Sequence, residues 1–309
     1  MSGPTASGAA WRRPWRHPWV RHLRLPFNLF LSPLFLWGAW WAAADGSVAP
    51  EPLRLVVAWL ALHVFLYGGT NALNSYYDRD EGPIGGMFEP PAVDPGLLRW
   101  AWAVQLAGLP LAVWVGGPFV VVWLALLGVA TAYSHPGPRW KARPLAALAA
   151  VGFGQGGLGA LAGAVAVRSG WGEAASLVSD AAPLHLLVPF CLVLSLYVVS
   201  QSYQTVEDRR RGDRTLPVLW GARTALRVAG GVGAVGGMAL VGLVAARSGA
   251  AWAVAFAAFL VVLGGWQLAW AARFDERDVR GSFRTTMRFV AVAGLGLTAL
   301  MTGLLAAPA

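Results

Sequence analysis

Apolar stretches close to 20 residues long recur along this 309-residue chain, separated by short polar segments. A helix rises about 1.5 Å per residue, so each stretch matches the roughly 30 Å hydrocarbon layer of a bilayer. The pattern predicts nine membrane-spanning helices, over about residues 27–45, 54–77, 98–115, 118–133, 144–167, 184–204, 224–246, 250–271 and 286–306. The expected fold class is all-α, a polytopic membrane protein built as one nine-helix bundle with a polar cap on its cytoplasmic side. Residues 1–25 read as a basic, Trp-rich cytoplasmic arm and residues 26–309 as the transmembrane domain.

Polar residues gather where two of these spans end. At the end of the second, Asn71, Asn74, Asp78 and Glu81 follow at intervals of three, four and three, which places them on one helix face. Counted backwards, Tyr67 and His63 extend that face deeper. In the sixth span Gln201, Gln204, Asp208 and Arg211 repeat the spacing. Gly82-Pro83 is expected to stop the first of these helices. One such stripe is what any helix shows as it enters water, but two matched stripes on one membrane face ask for another account. Ionisable groups at the centre of a span cost about 2.5–3.5 kcal/mol on insertion scales and point to function. His63 alone reads first as hydrogen-bonded packing, and the charged run Arg273–Arg288 as a solvated connector.

Composition supports the membrane reading. Hydrophobic residues make up 57% of the chain and charged residues 13%, against about 25% charged in soluble domains. The net charge of +9 is a topology signal rather than a nucleic-acid one. With a cytoplasmic N-terminus, 21 of the 24 Lys and Arg residues fall on the cytoplasmic side, leaving Arg54, Arg168 and Arg247 outside. Nine spans then leave the C-terminus outside. The arm interleaves Arg12, Arg13, Arg16, Arg21 and Arg24 with Trp11, Trp15 and Trp19. It is expected to lie on an anionic leaflet rather than to act as a cleavable or twin-arginine signal. The single cysteine, Cys191, excludes an intrachain disulfide. Heavy use of Trp, Ala, Gly and Arg suggests a GC-rich bacterial genome and hence the inner membrane, and no obligate protein partner is evident.

Matched amide-then-carboxylate stripes suit a diphosphate held through Mg²⁺, which takes one or two carboxylates together with water and phosphate oxygens. Asn74, Asp78, Glu81, Gln204 and Asp208 are the candidate ligands. Arg139, Lys141, Arg143 and Arg211 are the candidate diphosphate contacts. Lys141 is the only lysine beside 23 arginines, which hints that a compact point charge is wanted there. Tyr67, Tyr76, Tyr77 and Tyr203 lie near the stripes, where aromatic faces attract cations. Arg24, Asn28, His63, Asn71, Tyr133 and the Gly-rich stretch around Gln155 complete the candidate substrate pocket.

At these residues the chain resembles the UbiA-type superfamily of intramembrane prenyltransferases. Its first motif, N-D-x-x-D-x-x-x-D, matches at Asn74 and Asp78, with Ser75 and Gly82 at departed positions and Asp80 and Glu81 as substitutes. Its second, D-x-x-x-D followed by G-x-x-T-L-P-V, matches at Asp208, Gly212 and Thr215-Leu216-Pro217-Val218, with Gln204 at the first aspartate. Tyr133-Ser134-His135-Pro136 through Lys141 is similar to the family's Tyr-Ser-x-Pro…Lys loop. The resemblance implies nine transmembrane helices and a Mg²⁺-bridged isoprenoid diphosphate, with Asn74, Asp78, Asp208 and Lys141 catalytic and Lys141 touching the diphosphate. It implies transfer of a prenyl group to an aromatic or other lipophilic acceptor in the membrane. Cyclisation or elongation of the isoprenoid would differ by product mass. A cation-coupled transporter would show flux without added diphosphate, and an inactive assembly partner would bind none.

Overall fold

The computed structural model describes residues 17–44, 47–179 and 181–307. The arm residues Trp11, Arg12, Arg13, Trp15 and Arg16 lie outside them. Among the described residues eight helices are long and apolar enough to cross a bilayer: α2 Pro52–Asp78, α3 Gly96–Val115, α4 Gly117–Ser134, α5 Pro144–Val167, α6 Ala182–Arg211, α7 Ala222–Ser248, α8 Ala250–Arg273 and α9 Val279–Ala306. The first expected span is α1, residues 25–43, built of three pieces. Among the described residues the chain forms no strand beyond one isolated bridge, Ile84 to Met87. The protein is a multi-pass membrane protein of nearly all-helical fold.

The pieces of α1 follow from its sequence. Arg24 adopts a left-handed backbone and Pro26 opens the first helical piece, Leu25–Asn28. Pro33 has no amide hydrogen and its ring crowds the carbonyl four residues back, so the chain tightens to a 3-10 turn, Leu29–Leu31, before Ser32–Ala43 runs on as α-helix. In α2 the segment Leu60–Leu66 is a π-helix, and the Tyr67 amide reaches back five residues to the Leu62 carbonyl. That shift leaves the His63 carbonyl without its usual helical partner. The Asn28 side chain supplies one, donating to it at 2.9 Å and to the Leu23 carbonyl at 3.2 Å, and accepting from the Asn71 amide at 2.7 Å. One buried asparagine thus ties the break in α1 to the widened turn in α2.

α1 and α5 meet backbone to backbone. A β-carbon on Gly38 would overlap the Ala160 carbonyl, and one on Gly163 would overlap the Phe35 carbonyl. Small residues at such seams allow the close approach that drives packing in lipid, where tails are as apolar as leucine. Around this seam Phe35, Leu62, Leu66, Phe119 and Trp123 form a dry core. On the opposite side α6, α7, α8 and α9 surround an apolar cavity of about 790 Å³.

Several ends differ from the sequence expectation. α2 stops at Asp78, where Arg79 turns left-handed, four residues before Gly82-Pro83. α9 begins at Val279, capped by the Asp278 side chain accepting from the Gly281 amide, so most of the charged run Arg273–Arg288 is helix rather than connector. Charged residues lengthen a helix past the membrane without breaking it. The described end of the arm is a short helix, Pro18–His22, docked on the α2–α3 connection: Trp19 Nε1 donates to Asp94 at 2.6 Å and Arg21 to the Glu89 carbonyl at 3.1 Å.

The substitution Gly163→Val is expected to destabilise the bundle by about 3 kcal/mol through this overlap. Thermal unfolding in detergent measures it, and an unchanged midpoint would show that the seam is dispensable.

Candidate active site

The α-helical end of α2, Tyr67–Asp78, carries Asn71, Asn74 and Asp78 in register. The Asn74 side-chain oxygen accepts from the Ser134 hydroxyl at 3.0 Å, which ties α2 to the end of α4. Beyond it the α4–α5 connection folds into a 3-10 turn, Trp140–Ala142, entered through a left-handed Arg139. This turn delivers the Lys141 ammonium onto the Asp78 carboxylate as an ion pair. Burial pulls that ammonium down to about 8, opposed by Asp213 and reinforced by Arg211.

α6 reaches the same end. Its helix tightens at Ser202–Gln204 and finishes at Arg211, with Gly212 left-handed after it. Asp208 accepts from the Thr215 hydroxyl at 3.0 Å, and the Gln204 amide nitrogen donates to the Pro83 carbonyl at 3.0 Å. Arg211 holds Asp80 of the α2–α3 connection and Glu207 of its own helix, each at 2.5 Å. Arg139 pairs with Asp213 at 3.4 Å. A β-carbon on Gly82 would run into the Glu207 carboxylate, so that carboxylate fills the space a side chain at position 82 would need.

These elements enclose a polar cavity of about 230 Å³ lined by Arg24, Asn74, Asp78, Asp80, Arg139, Lys141, Gln204, Asp208, Arg211 and Asp213, with Tyr203 in its wall. Asn74, Tyr133 and Tyr197 also line a second, deeper cavity of about 190 Å³ between α2, α4, α5 and α6, which holds Tyr67, Thr70, Asn71 and Gln155. The two tyrosine hydroxyls stand 3.1 Å apart at the junction. Two π-helical segments, in α2 and in α5 at Ala150–Leu158, flank the deeper space, a placement common at functional sites.

Five candidates fall elsewhere. Glu81 is exposed because α2 ends three residues before it, which takes it off the stripe. Arg143 is exposed at the start of α5. His63 is 1% exposed, stacked on Trp59 with its Nδ1 3.2 Å from the Trp59 carbonyl; counting 3.6 residues per turn through a π segment misassigns its face. Asn28, 2% exposed, is the joint described above. Tyr76 packs edge-on to Tyr77 rather than lining either cavity. The cavity also contains residues that the spacing argument passed over. Tyr197 lies one turn before Gln201 on the same stripe and was legible there; Asp80, Asp213 and Thr215 lie in loops whose path no periodicity reveals.

Among the described residues no three His, Cys, Asp or Glu side chains converge into a metal cage. One carboxylate from each of two helices, facing across a cavity with basic walls, instead fits a hard divalent cation that keeps phosphate and water among its ligands.

The family model described as the UbiA prenyltransferase family matches residues 31–293. The chain belongs to this family. Chlorophyll synthase of Arabidopsis thaliana is 27% identical over 261 residues, covering 79% of this chain and 64% of its own length. That of Avena sativa is 27% identical over 225 residues, 67% of this chain and 56% of its own. The aligned region thus spans from 56% to 64% of the length of these two curated relatives. The bundle is similar to that of an apo UbiA homologue from Aeropyrum pernix K1, with a TM-score of 0.64 and 21% identity over 89% of this chain and 98% of that one. It is also similar to a UbiA homologue from Archaeoglobus fulgidus bound to GPP and Mg²⁺, with a TM-score of 0.57 and 18% identity over 94% of this chain and all of that one. At these identities the likeness shows the UbiA fold.

Replacing Asn28 with leucine leaves the His63 carbonyl and the Asn71 amide without this partner. A fall in stability of about 1–3 kcal/mol is expected, read as a lower melting midpoint in detergent. An unchanged midpoint would show that this joint does not hold α1 to α2.

Proposed function

We propose that the protein transfers a prenyl group from an isoprenoid diphosphate to an aromatic or other lipophilic acceptor within the membrane, releasing diphosphate with the help of Mg²⁺. The observation that carries this reading is the shared cavity. Asp78 and Asp208 come from different helices and face one space with Lys141, Arg139 and Arg211, and that space opens through Tyr133 and Tyr197 into a mostly apolar pocket. The homologue structure with GPP and Mg²⁺ supports the choice of ligands.

In this reading Asp78 and Asp208 would hold the metal, with Asn74 and Gln204 able to offer amide oxygens; Gln204 spends its nitrogen on the Pro83 carbonyl. Bound Mg²⁺ supplies charge that offsets the diphosphate and its leaving oxygen. Lys141, Arg139 and Arg211 take the remaining phosphate charge. The bond between the allylic carbon and the diphosphate oxygen breaks, and the electron pair leaves with the diphosphate. The allylic cation then faces the hydroxyl-rich junction of Tyr133 and Tyr197, with Tyr67 and Tyr203 nearby, where dry walls protect it from water. The acceptor attacks that carbon and gives up a proton. Arg24, whose guanidinium donates to the Ser75 hydroxyl at 2.8 Å, lies at the cavity edge as the candidate acceptor contact.

The division into an arm, 1–25, and a catalytic membrane domain, 26–309, belongs to the same proposal. So does a bacterial inner-membrane location with the N-terminus and the polar cavity on the cytoplasmic side and the C-terminus outside. The positive-inside distribution supports that orientation.

Asp78→Ala and Asp208→Ala are each expected to slow diphosphate release from geranyl diphosphate at least hundredfold, about 2.7 kcal/mol of barrier, and chelation by EDTA to do the same. Near-parental release by the purified double variant would overturn the proposal. Product mass after incubation with hydroxybenzoate, naphthoate and tetrapyrrole acceptors distinguishes transfer from cyclisation.

A further inference from the structure

Every cation that the proposed reaction would turn toward a diphosphate, apart from Arg24, is already held by a carboxylate. Lys141 pairs with Asp78, Arg139 with Asp213, and Arg211 with Asp80 and Glu207. The polar cavity is lined by four basic and four acidic side chains, so its formal charge balances. A diphosphate arriving alone must pull cations away from their carboxylates, and a metal arriving alone must do the reverse. Arriving together, each frees the partner that the other needs.

The Lys141–Asp78 pair is the clearest case. Both side chains are 15% exposed, so solvent screens the pair little. The turn carrying Lys141 is fixed by hydrogen bonds from the Ala142 amide to the Arg139 carbonyl and from the Arg143 amide to the Trp140 carbonyl. The same residue therefore cannot withdraw far from the site; it can only exchange one nearby anion for another.

We propose that Lys141 competes with the divalent cation for Asp78, and that its ammonium passes to the diphosphate when the cation displaces it. Lys141 thereby makes metal and diphosphate binding cooperative. This rests on the functional reading above and goes beyond it by giving Lys141 an opposing effect on each ligand taken alone. A lysine that merely touched phosphate would weaken diphosphate binding when removed and leave metal binding as it was. A resident competitor, when removed, strengthens binding of the metal alone.

Calorimetry on the full chain in nanodiscs tests this with Mg²⁺ alone, with geranyl thiolodiphosphate (a non-ionising analogue) alone, and with each in the presence of the other. In the parent, each ligand is expected to tighten the other by at least about tenfold, equally in both directions as linkage requires. In Lys141→Met, Mg²⁺ alone is expected to bind about fivefold tighter, the analogue more weakly, and the mutual tightening to shrink. Lys141→Gln serves if the methionine variant melts early, and Arg210→Met, an exposed charge at the same end, controls for general electrostatics. Unchanged or weaker Mg²⁺ binding in a folded Lys141 variant overturns the proposal, as does equal tightening of Mg²⁺ by Arg210→Met. Analogue binding to the parent that ignores Mg²⁺ also overturns it. A folded parent that binds neither ligand in any combination sinks the functional reading itself.

Discussion

A helix inside hydrocarbon cannot leave a carbonyl bare, and this constraint organises the molecule. No water is present to accept the loss, and each unsatisfied backbone group costs several kcal/mol. Both widened turns and the broken first helix are therefore tolerable only where something else completes their hydrogen bonds. Asn28 does so at the most demanding place, where the π segment of α2 passes the break in α1. By closing that gap it fixes how α2 approaches α1, and hence where Asn71, Asn74 and Asp78 stand relative to Arg24. The residue sits outside the cavity, yet its geometry is upstream of everything in the cavity.

The site itself is assembled from three connections at one end of the bundle, each contributing a different kind of group. α2 and α6 bring carboxylates on helices whose backbones are already satisfied. The α4–α5 turn brings cations from above, and the tail of α6 folds back through Gly212 to place Asp213 and Thr215 against Asp208. Ion pairs stitch these elements across the cavity mouth: Arg211 to Asp80 and Arg139 to Asp213 join segments far apart in sequence. The result is a polar chamber whose floor passes, through two tyrosines, into apolar protein. Such a gradient suits a molecule that is charged at one end and greasy at the other.

Much of this was legible in the sequence because membranes simplify the code. Twenty-residue apolar stretches gave the spans, and polar stripes at helical spacing gave Asn74, Asp78, Gln204 and Asp208. Legibility ended where the backbone departed from 3.6 residues per turn. The stripe continued through His63 fails because Leu60–Leu66 is a π-helix, and the stripe continued through Glu81 fails because Arg79 ends α2 in a left-handed conformation that arginine rarely adopts. Loop residues such as Asp213 carry no periodic signal, so only the fold could bring them to Asp208. Tyr197 was recoverable, since it continues the α6 stripe by one turn.

The left-handed arginines carry a practical lesson. Among the described residues Arg24, Arg79 and Arg139 are the only non-glycines with positive φ, and each such residue stores about 1–2 kcal/mol of steric strain. At Arg24 and Arg139 the side chain lines the polar cavity, so relief through glycine would remove a charge from the chamber. Arg79 is exposed and leans over the Tyr76 ring at 6.0 Å, outside it. Anyone seeking a sturdier version of this protein would therefore begin at position 79, where stiffness and the chamber's charges come apart.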